Sequence, residues 1–317
     1  MTITRRGLVA APLLAAPALA QAQSSTTALV IPYSPGGASD VVGRILAEGL
    51  TQRLGGSFVL DHKPGASTTI AARTVARARP DGQTLLVGTV VTFAMAPLAL
   101  RNPGYDPIED FTAITALCDT HAMLVANPRW RSLEELFAAA KARPGQLSYA
   151  SWGIGTTAHL PMLDLTGRAG VEMLHVPYNG APPALTDVIA GRADCMIALL
   201  AASRGHIEEG RVRALGTVST ERLPAFPNIP TVAEQGFPGF GGGAWYALHA
   251  PPNLPAPIKA RLGSAAAESF NDPRTLAFME SQGLGPTPTG EAALVERIRR
   301  ELAQNRELMQ RAGITPG

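Results

Sequence analysis

Apolar positions along this chain keep two periods in turn. Runs at 28–33, 57–61, 84–89, 122–126, 147–151, 173–178, 194–200, 212–218 and 244–250 are short, apolar and bounded by turn residues, as buried strands are. Between them the spacing becomes helical, as in Val41, Val42, Ile45, Leu46 and Leu50, and predicts helices over 40–54, 67–79, 156–168, 182–191 and 201–209. Ser132-Leu133-Glu134-Glu135 is a capping box that opens another helix, ending before Pro144-Gly145. Beyond residue 250 the pattern turns helical, over 256–270, 273–282 and 290–312, where Leu294, Ile298, Leu302 and Leu308 form a packing stripe. Strands separated by helices require parallel sheets with right-handed crossovers. The predicted class is α/β.

Two strand-to-helix turns echo each other. Ser34-Pro35-Gly36-Gly37-Ala38-Ser39-Asp40 follows the first strand, and Ser151-Trp152-Gly153-Ile154-Gly155-Thr156-Thr157 follows another. Both place glycines and hydroxyls where a strand hands over to a helix. Free N–H groups and the positive helix end favour an anion such as a carboxylate there. The plainer reading is a tight turn, with Ser39, Asp40 or Thr156 capping the helix. Ligands of open α/β sheets bind at the carboxyl ends of strands, so two lobes facing each other would form a cleft with one loop on each wall. The expected lobes are 24–125 plus 240–317, and 126–239, hinged near Ala126-Asn127 and Gly236–Phe240.

Composition narrows the partners. Of 317 residues, 46% are hydrophobic, enough for a sizeable core, and the net charge of +2 with no basic, aromatic-interleaved stripe argues against nucleic acid. The first 22 residues read as a signal peptide: Arg5-Arg6, an apolar stretch from Leu8 to Ala20, and the small-x-small sites Ala18-Leu19-Ala20 and Ala20-Gln21-Ala22. The twin arginine points to Tat export of the folded protein, with a Sec signal as the alternative. The mature chain is expected in the periplasm. Cys118 and Cys195 lack a disulfide framework and read as separate buried residues, though an oxidising compartment would allow them to pair. His62, His121, His159, His175, His206 and His249 are scattered, so no metal or other cofactor is expected. No G-x-S-x-G elbow is present. Gly153-Ile154-Gly155-Thr156-Thr157-Ala158 fits G-x-G-x-x-G/A and keeps open an exported nicotinamide-dependent oxidoreductase, although Glu172 would start a strand rather than end one.

Taken in order, several segments resemble the extracytoplasmic receptors of tripartite tricarboxylate transporters, the TctC or Bug type. They include Pro32–Gly37 with Asp40 and Arg44, Lys63–Ala66, Ala78–Leu86 and Tyr105-Asp106-Pro107. In the second half they include Tyr149-Ala150-Ser151 with Gly153, Gly155 and His159, His175–Gly180, Pro183–Asp187, Pro230–Gly236 and Trp245-Tyr246. The resemblance implies a two-lobe, type 2 periplasmic-binding-protein-like fold that is not an enzyme. It implies a monomer that captures a small carboxylate and delivers it to transporter membrane subunits. Position by position it points to Ser34, Gly36, Gly37, Ala38, Ser39, Asp40 and Thr89 on one wall. On the other it points to Ser151, Trp152, Gly153, Gly155, Thr156, Thr157, Pro177 and Tyr178, with Asn179 beside them and His159 as a hydrogen-bonding support or direct contact. The chain departs from the family at Ser67-Thr68-Thr69, where relatives carry a glycine pair and Asn. It departs again at Ile197-Ala198-Leu199-Leu200, where relatives place Asp or Asn. With Ala198 bordering the cleft, this apolar strand end implies a ligand with an apolar or aromatic body. A ligand-sensing subunit of a signalling system would have the same chain.

Overall fold

In β1 (Thr26–Ile31) Leu29 and Ile31 pack into one hydrophobic cluster and Val30 into another, the period of two that a strand buried on both faces imposes. The computed structural model describes residues 26–178, 180–219, 221–241, 244–311 and 313–316. The predicted signal peptide and Asn179 lie outside them. From β1 the chain runs through α1 (Ala38–Leu54), β2 (Ser57–His62), α2 (Thr69–Ala76), β3 (Thr84–Thr89), a π turn over 91–95, α3 (Ala96–Ala99) and β4 (Thr112–Thr120). It continues with β5 (Ala122–Ala126), α4 (Leu133–Ala142), β6 (Ser148–Ser151), α5 (His159–Ala169), β7 (Leu174–Pro177), α6 (Ala181–Ile189), β8 (Cys195–Leu199), α7 (Leu200–Glu208) and β9 (Arg213–Thr217). It closes with β10 (Trp245–Ala250), α8 (Ala256–Phe270), α9 (Pro273–Ser281), β11 (Leu284–Pro286) and α10 (Glu291–Arg311).

Two sheets result, ordered β11-β4-β10-β3-β1-β2 and β7-β6-β8-β5-β9. Read from β2 and from β7, both follow one scheme: second strand, first, third, a reversed strand, then fourth. The reversed strands are β10, antiparallel to β3 and β4, and β5, antiparallel to β8 and β9. The remaining strands of each sheet share a direction apart from β11, so both sheets are mostly parallel in direction yet mixed in pairing. Each reversed strand is the one that enters its sheet directly from the other. β1 and β6 are therefore equivalent strands, and the two loops noted in the sequence are equivalent loops.

The crossovers lie side by side: Thr120 donates from both its N–H and its hydroxyl to the Ala244 carbonyl, and Val218 N–H donates to the Ala122 carbonyl. This corrects the expected division. β5 pairs along its length with β8 and β9, so 122–125 belong to the second sheet, and the first crossover is at His121. Ala126 pairs with Cys195 at the opposite end of β8, away from the strand ends that carry the loops. Phe240 is buried in the second sheet's core, which places the other crossover just after it.

Each sheet is covered on both faces. Leu124 and Ile197 enter one cluster of the second sheet while Met123, Met196 and Ala198 enter the other. Ser132 caps the helix as read, its Oγ accepting from Glu135 N–H at 3.0 Å, while the Glu135 carboxylate reaches one residue further back, to Arg131 N–H at 2.9 Å. In α10, Leu294 and Ile298 are buried in the first sheet's core, and Leu302 and Leu308 pack against it. β4 and β11 were not anticipated. In β4 the residues Ala113 to Cys118 are all buried, so the sequence shows no alternation, and β11 is only three residues long. Cys118 and Cys195 are free and buried, one in each sheet.

Candidate functional site

The first loop presents backbone and little else. Ser34 to Gly37 are exposed, and a Cβ built on Gly36 or Gly37 would meet nothing within 4 Å. Gly37 is the N-cap of α1 and provides no side-chain cap; its carbonyl takes the N–H groups of Asp40 and Val41 at 3.0 and 3.2 Å. The N–H groups of Ala38 and Ser39 are then orphan donors of the first turn. Asp40 is itself tied down. It accepts from Gly36 N–H, Arg44 Nε lies 3.0 Å from Oδ2, and His62 Nε2 lies 3.0 Å from Oδ1. Burial alone would raise its pKa, but the Arg44 bond and charge, the Gly36 N–H and the His62 ring outweigh burial and hold it below the usual carboxylate value. His62 Nδ1 sits 2.8 Å from the Tyr33 carbonyl, so the ring links the two ends of the loop.

Beneath the loop the hydroxyls form a chain. Tyr33 Oη is 3.5 Å from Thr89 Oγ1, which is 3.3 Å from Thr92 Oγ1 and accepts from Thr92 N–H. The Ser39 hydroxyl bonds to Tyr246, whose buried phenol is pushed well above its ordinary pKa. Thr89 lies at the carboxyl end of β3, beneath this loop. Tyr33 and Tyr246 support it, together with His62 and Thr92, which the sequence did not mark as part of a site; the four sit at the ends of neighbouring strands, a relation visible only in the sheet.

The second loop is held by its own side chains. Ser151 is fully buried; its Oγ accepts from Gly153 N–H at 3.1 Å and lies 2.7 Å from His175 Nε2. Thr156 Oγ1 donates to the Gly153 carbonyl at 2.7 Å, and Gly155 N–H donates to His159 Nδ1 at 3.1 Å. His159 stacks on His175 at 4.0 Å, and burial, then the neighbouring ring, lower its pKa to about 4. His159 is therefore a neutral support beneath the loop. Thr156 closes the turn through its hydroxyl, while its carbonyl receives His159 and Leu160 N–H. Thr157 is half-buried at the open side. Tyr178 N–H donates to the Ser151 carbonyl at 2.9 Å, which brings Pro177 and Tyr178 to the same loop, although the Tyr178 hydroxyl is spent on Asp187 at 2.7 Å.

One expected contact is buried and another half-buried. Ala198 is buried opposite Met123, so its side chain meets core and not open space, and Trp152 packs half-buried against that same core. Of the apolar run 197–200 only Leu199 is half-buried rather than buried. The dinucleotide reading loses its acid as well: Glu172 precedes β7 instead of standing at its carboxyl end, where a ribose would need it.

The walls meet through the segment that follows β3. A Cβ on Gly155 would lie 3.5 Å from Ala99 of α3, and Leu160 of α5 packs in the first sheet's core beside Phe93 and Met95. A cavity of about 580 Å³ adjoins this contact, lined by Val90, Met95, Thr157, Leu160, Phe240 and α10 residues including Arg300. It touches the expected set only at Thr157, and at Val90 beside Thr89.

Two sheets of one strand scheme, joined by paired crossovers at the strand ends that carry the loops, define a two-lobed binding-protein fold. The chain belongs to the tripartite tricarboxylate transporter receptor family, TctC, whose model matches residues 42–314. It is 32% identical to BugT of Bordetella pertussis over 265 residues, covering 81% of this chain and 80% of that protein. It is 35% identical over 286 residues to a UPF0065 protein from the tcbD–tcbE intergenic region of a Pseudomonas strain, covering 88% and 84%. Rpa4515 of Rhodopseudomonas palustris, solved with adipate, superposes with a TM-score of 0.85 at 31% identity over 92% of this chain and 98% of that one. MatC of the same organism, solved with malate, gives 0.79 at 30% identity over 89% and 98%.

Proposed function

We propose that this protein is a periplasmic receptor that captures a small carboxylate between the 34–40 and 151–157 loops and passes it to transporter membrane subunits. The observation that carries the reading is the bare Gly36-Gly37 turn at the start of α1. It has orphan N–H groups and open space above it, while the acid seated in the first turn, Asp40, is already paired with Arg44. The residues proposed to touch the ligand are Ser34, Gly36, Gly37, Ala38, Ser39 and Thr89 on one wall, and Gly153 and Thr157 on the other. The cations beside the first loop, Arg44 and Lys63, are paired with Asp40 and Asp61. Neutral main-chain donors would therefore hold the head group, which suits a carboxylate with an apolar body. Adipate and malate in two solved relatives support the carboxylate class. The signal peptide, the monomeric state and export by Tat belong to the same proposal.

Isothermal titration and thermal unfolding of the mature protein with a panel of carboxylates, adipate and malate among them, test it. Binding in the micromolar range or tighter, about −8 kcal/mol, without turnover is the expected result. If no member of a broad carboxylate panel binds, the receptor reading fails.

A further inference from the structure

The second loop carries an aliphatic side chain that neither the core nor the head-group geometry uses. Within 151–157 Ile154 alone is exposed, at 64%. It stands between Gly153 at φ 127° and Gly155 at φ 73°, both in the region that favours glycine. Each neighbour is pinned, Gly153 N–H on Ser151 Oγ and Gly155 N–H on His159 Nδ1, both at 3.1 Å. Ser151 is held in turn by His175. A tip anchored on both sides holds its isoleucine in water by construction, forgoing the stabilisation that burial would bring. The neighbouring apolar groups are less exposed: Trp152 packs half-buried on the core with Tyr178, and Ala198 is inside it. The equivalent loop of the other sheet offers the opposite chemistry, exposed backbone donors with open space above two glycines.

We infer that Ile154 is a specificity-determining residue: it covers the aliphatic body of a carboxylate whose head lies at Gly36–Ser39, and so sets the preferred chain length. This rests on the receptor reading above. Titration with butanoate, hexanoate and octanoate tests it. In the native protein affinity climbs with chain length. In Ile154→Ala octanoate weakens about tenfold while butanoate stays within about twofold, and Ile154→Leu recovers most of the loss. The melting temperature of Ile154→Ala is unchanged, because the side chain is exposed. Equal weakening of all three acids, a fall in melting temperature, or an unaltered octanoate affinity overturns the inference. A native protein that binds these acids without length preference sinks the inference alone; one that binds no carboxylate sinks the receptor reading and the inference with it.

Discussion

Asp40 is an anion already seated at the mouth of α1, and its partners give it the task of shaping the loop. In Asp40→Asn the amide still accepts a hydrogen bond but no longer balances Arg44 and His62. Urea unfolding at neutral pH should show a loss of about 1–3 kcal/mol, and carboxylate affinity should change little if Gly36 N–H stays on the amide oxygen. The folded pKa is lowered, so the stabilisation is full above about pH 4, the unfolded value. It disappears as pH falls through the folded pKa, and the native protein and the variant should converge there. Gly37 and Gly155 separate binding from folding. Gly37 has φ −96°, open to any residue, with nothing near its Cβ. Gly37→Val should keep its melting temperature and lose at least tenfold in carboxylate affinity. Gly155 has φ 73° and lies against Ala99, so Gly155→Val should lose about 1–3 kcal/mol of stability whatever happens to the ligand. Carboxylate affinity retained in Gly37→Val would remove the first loop from the site.

At the scale of elements, α10 braces the joint between the sheets. Arg297 donates to Asp119 at the end of β4 at 2.7 Å and to Glu301 at 2.9 Å, while Glu301 accepts the indole N–H of Trp245, the first residue of β10, at 2.7 Å. Both strands are thus fixed to one helix, β4 through the Arg297 guanidinium and β10 through the Glu301 carboxylate that the guanidinium binds. Its partners, led against burial by Asp119 and then Glu301, raise its pKa further. Arg297→Met leaves two carboxylates facing each other without their cation. Chemical denaturation should register a loss of about 1–3 kcal/mol, whereas a change under about 0.5 kcal/mol would make the network no stronger than a surface ion pair. Helix packing is tight elsewhere too: a Cβ on Gly49 would overlap the Ser269 side chain where α1 meets α8.

At the scale of the whole molecule, folding keeps several histidines out of water and uncharged. His249 is fully buried, stacked on Phe93 at 3.9 Å, and burial lowers its pKa to about 3. His159 falls to about 4 for the same cause, and His121 and His175 move in the same direction. The unfolded chain takes up these protons near pH 6.5 and the folded one only at lower pH. Stability is therefore full above about pH 6.5 and declines below it, by up to about 1.4 kcal/mol per pH unit for each such histidine. Urea midpoints measured between pH 7 and pH 4 should show this slope, and His249→Phe should flatten it. A parallel profile in the variant would refute the assignment.

Much of this protein was legible without coordinates. Period and turn chemistry are local properties, so nine strands, the capping box of α4, the amphipathic stripe of α10 and both glycine loops could be read from residue order. What the sequence by itself determined was most of the parts and the likeness of the two loops, since both follow from neighbours along the chain. Tertiary structure decided the rest. β4 is buried on both faces and shows no alternation, and the reversal of β5 and β10 depends on which strands they enter between. The first crossover falls at His121 because pairing, and not apolar content, assigns 122–126 to the second sheet. Ala198 borders the predicted cleft in the sequence but is buried in the core, and Trp152 is half-buried against it, while Ile154, unremarkable in the sequence, is left in solvent. Which way a side chain faces is set by the body it packs against, and that body is assembled from residues far apart in the chain.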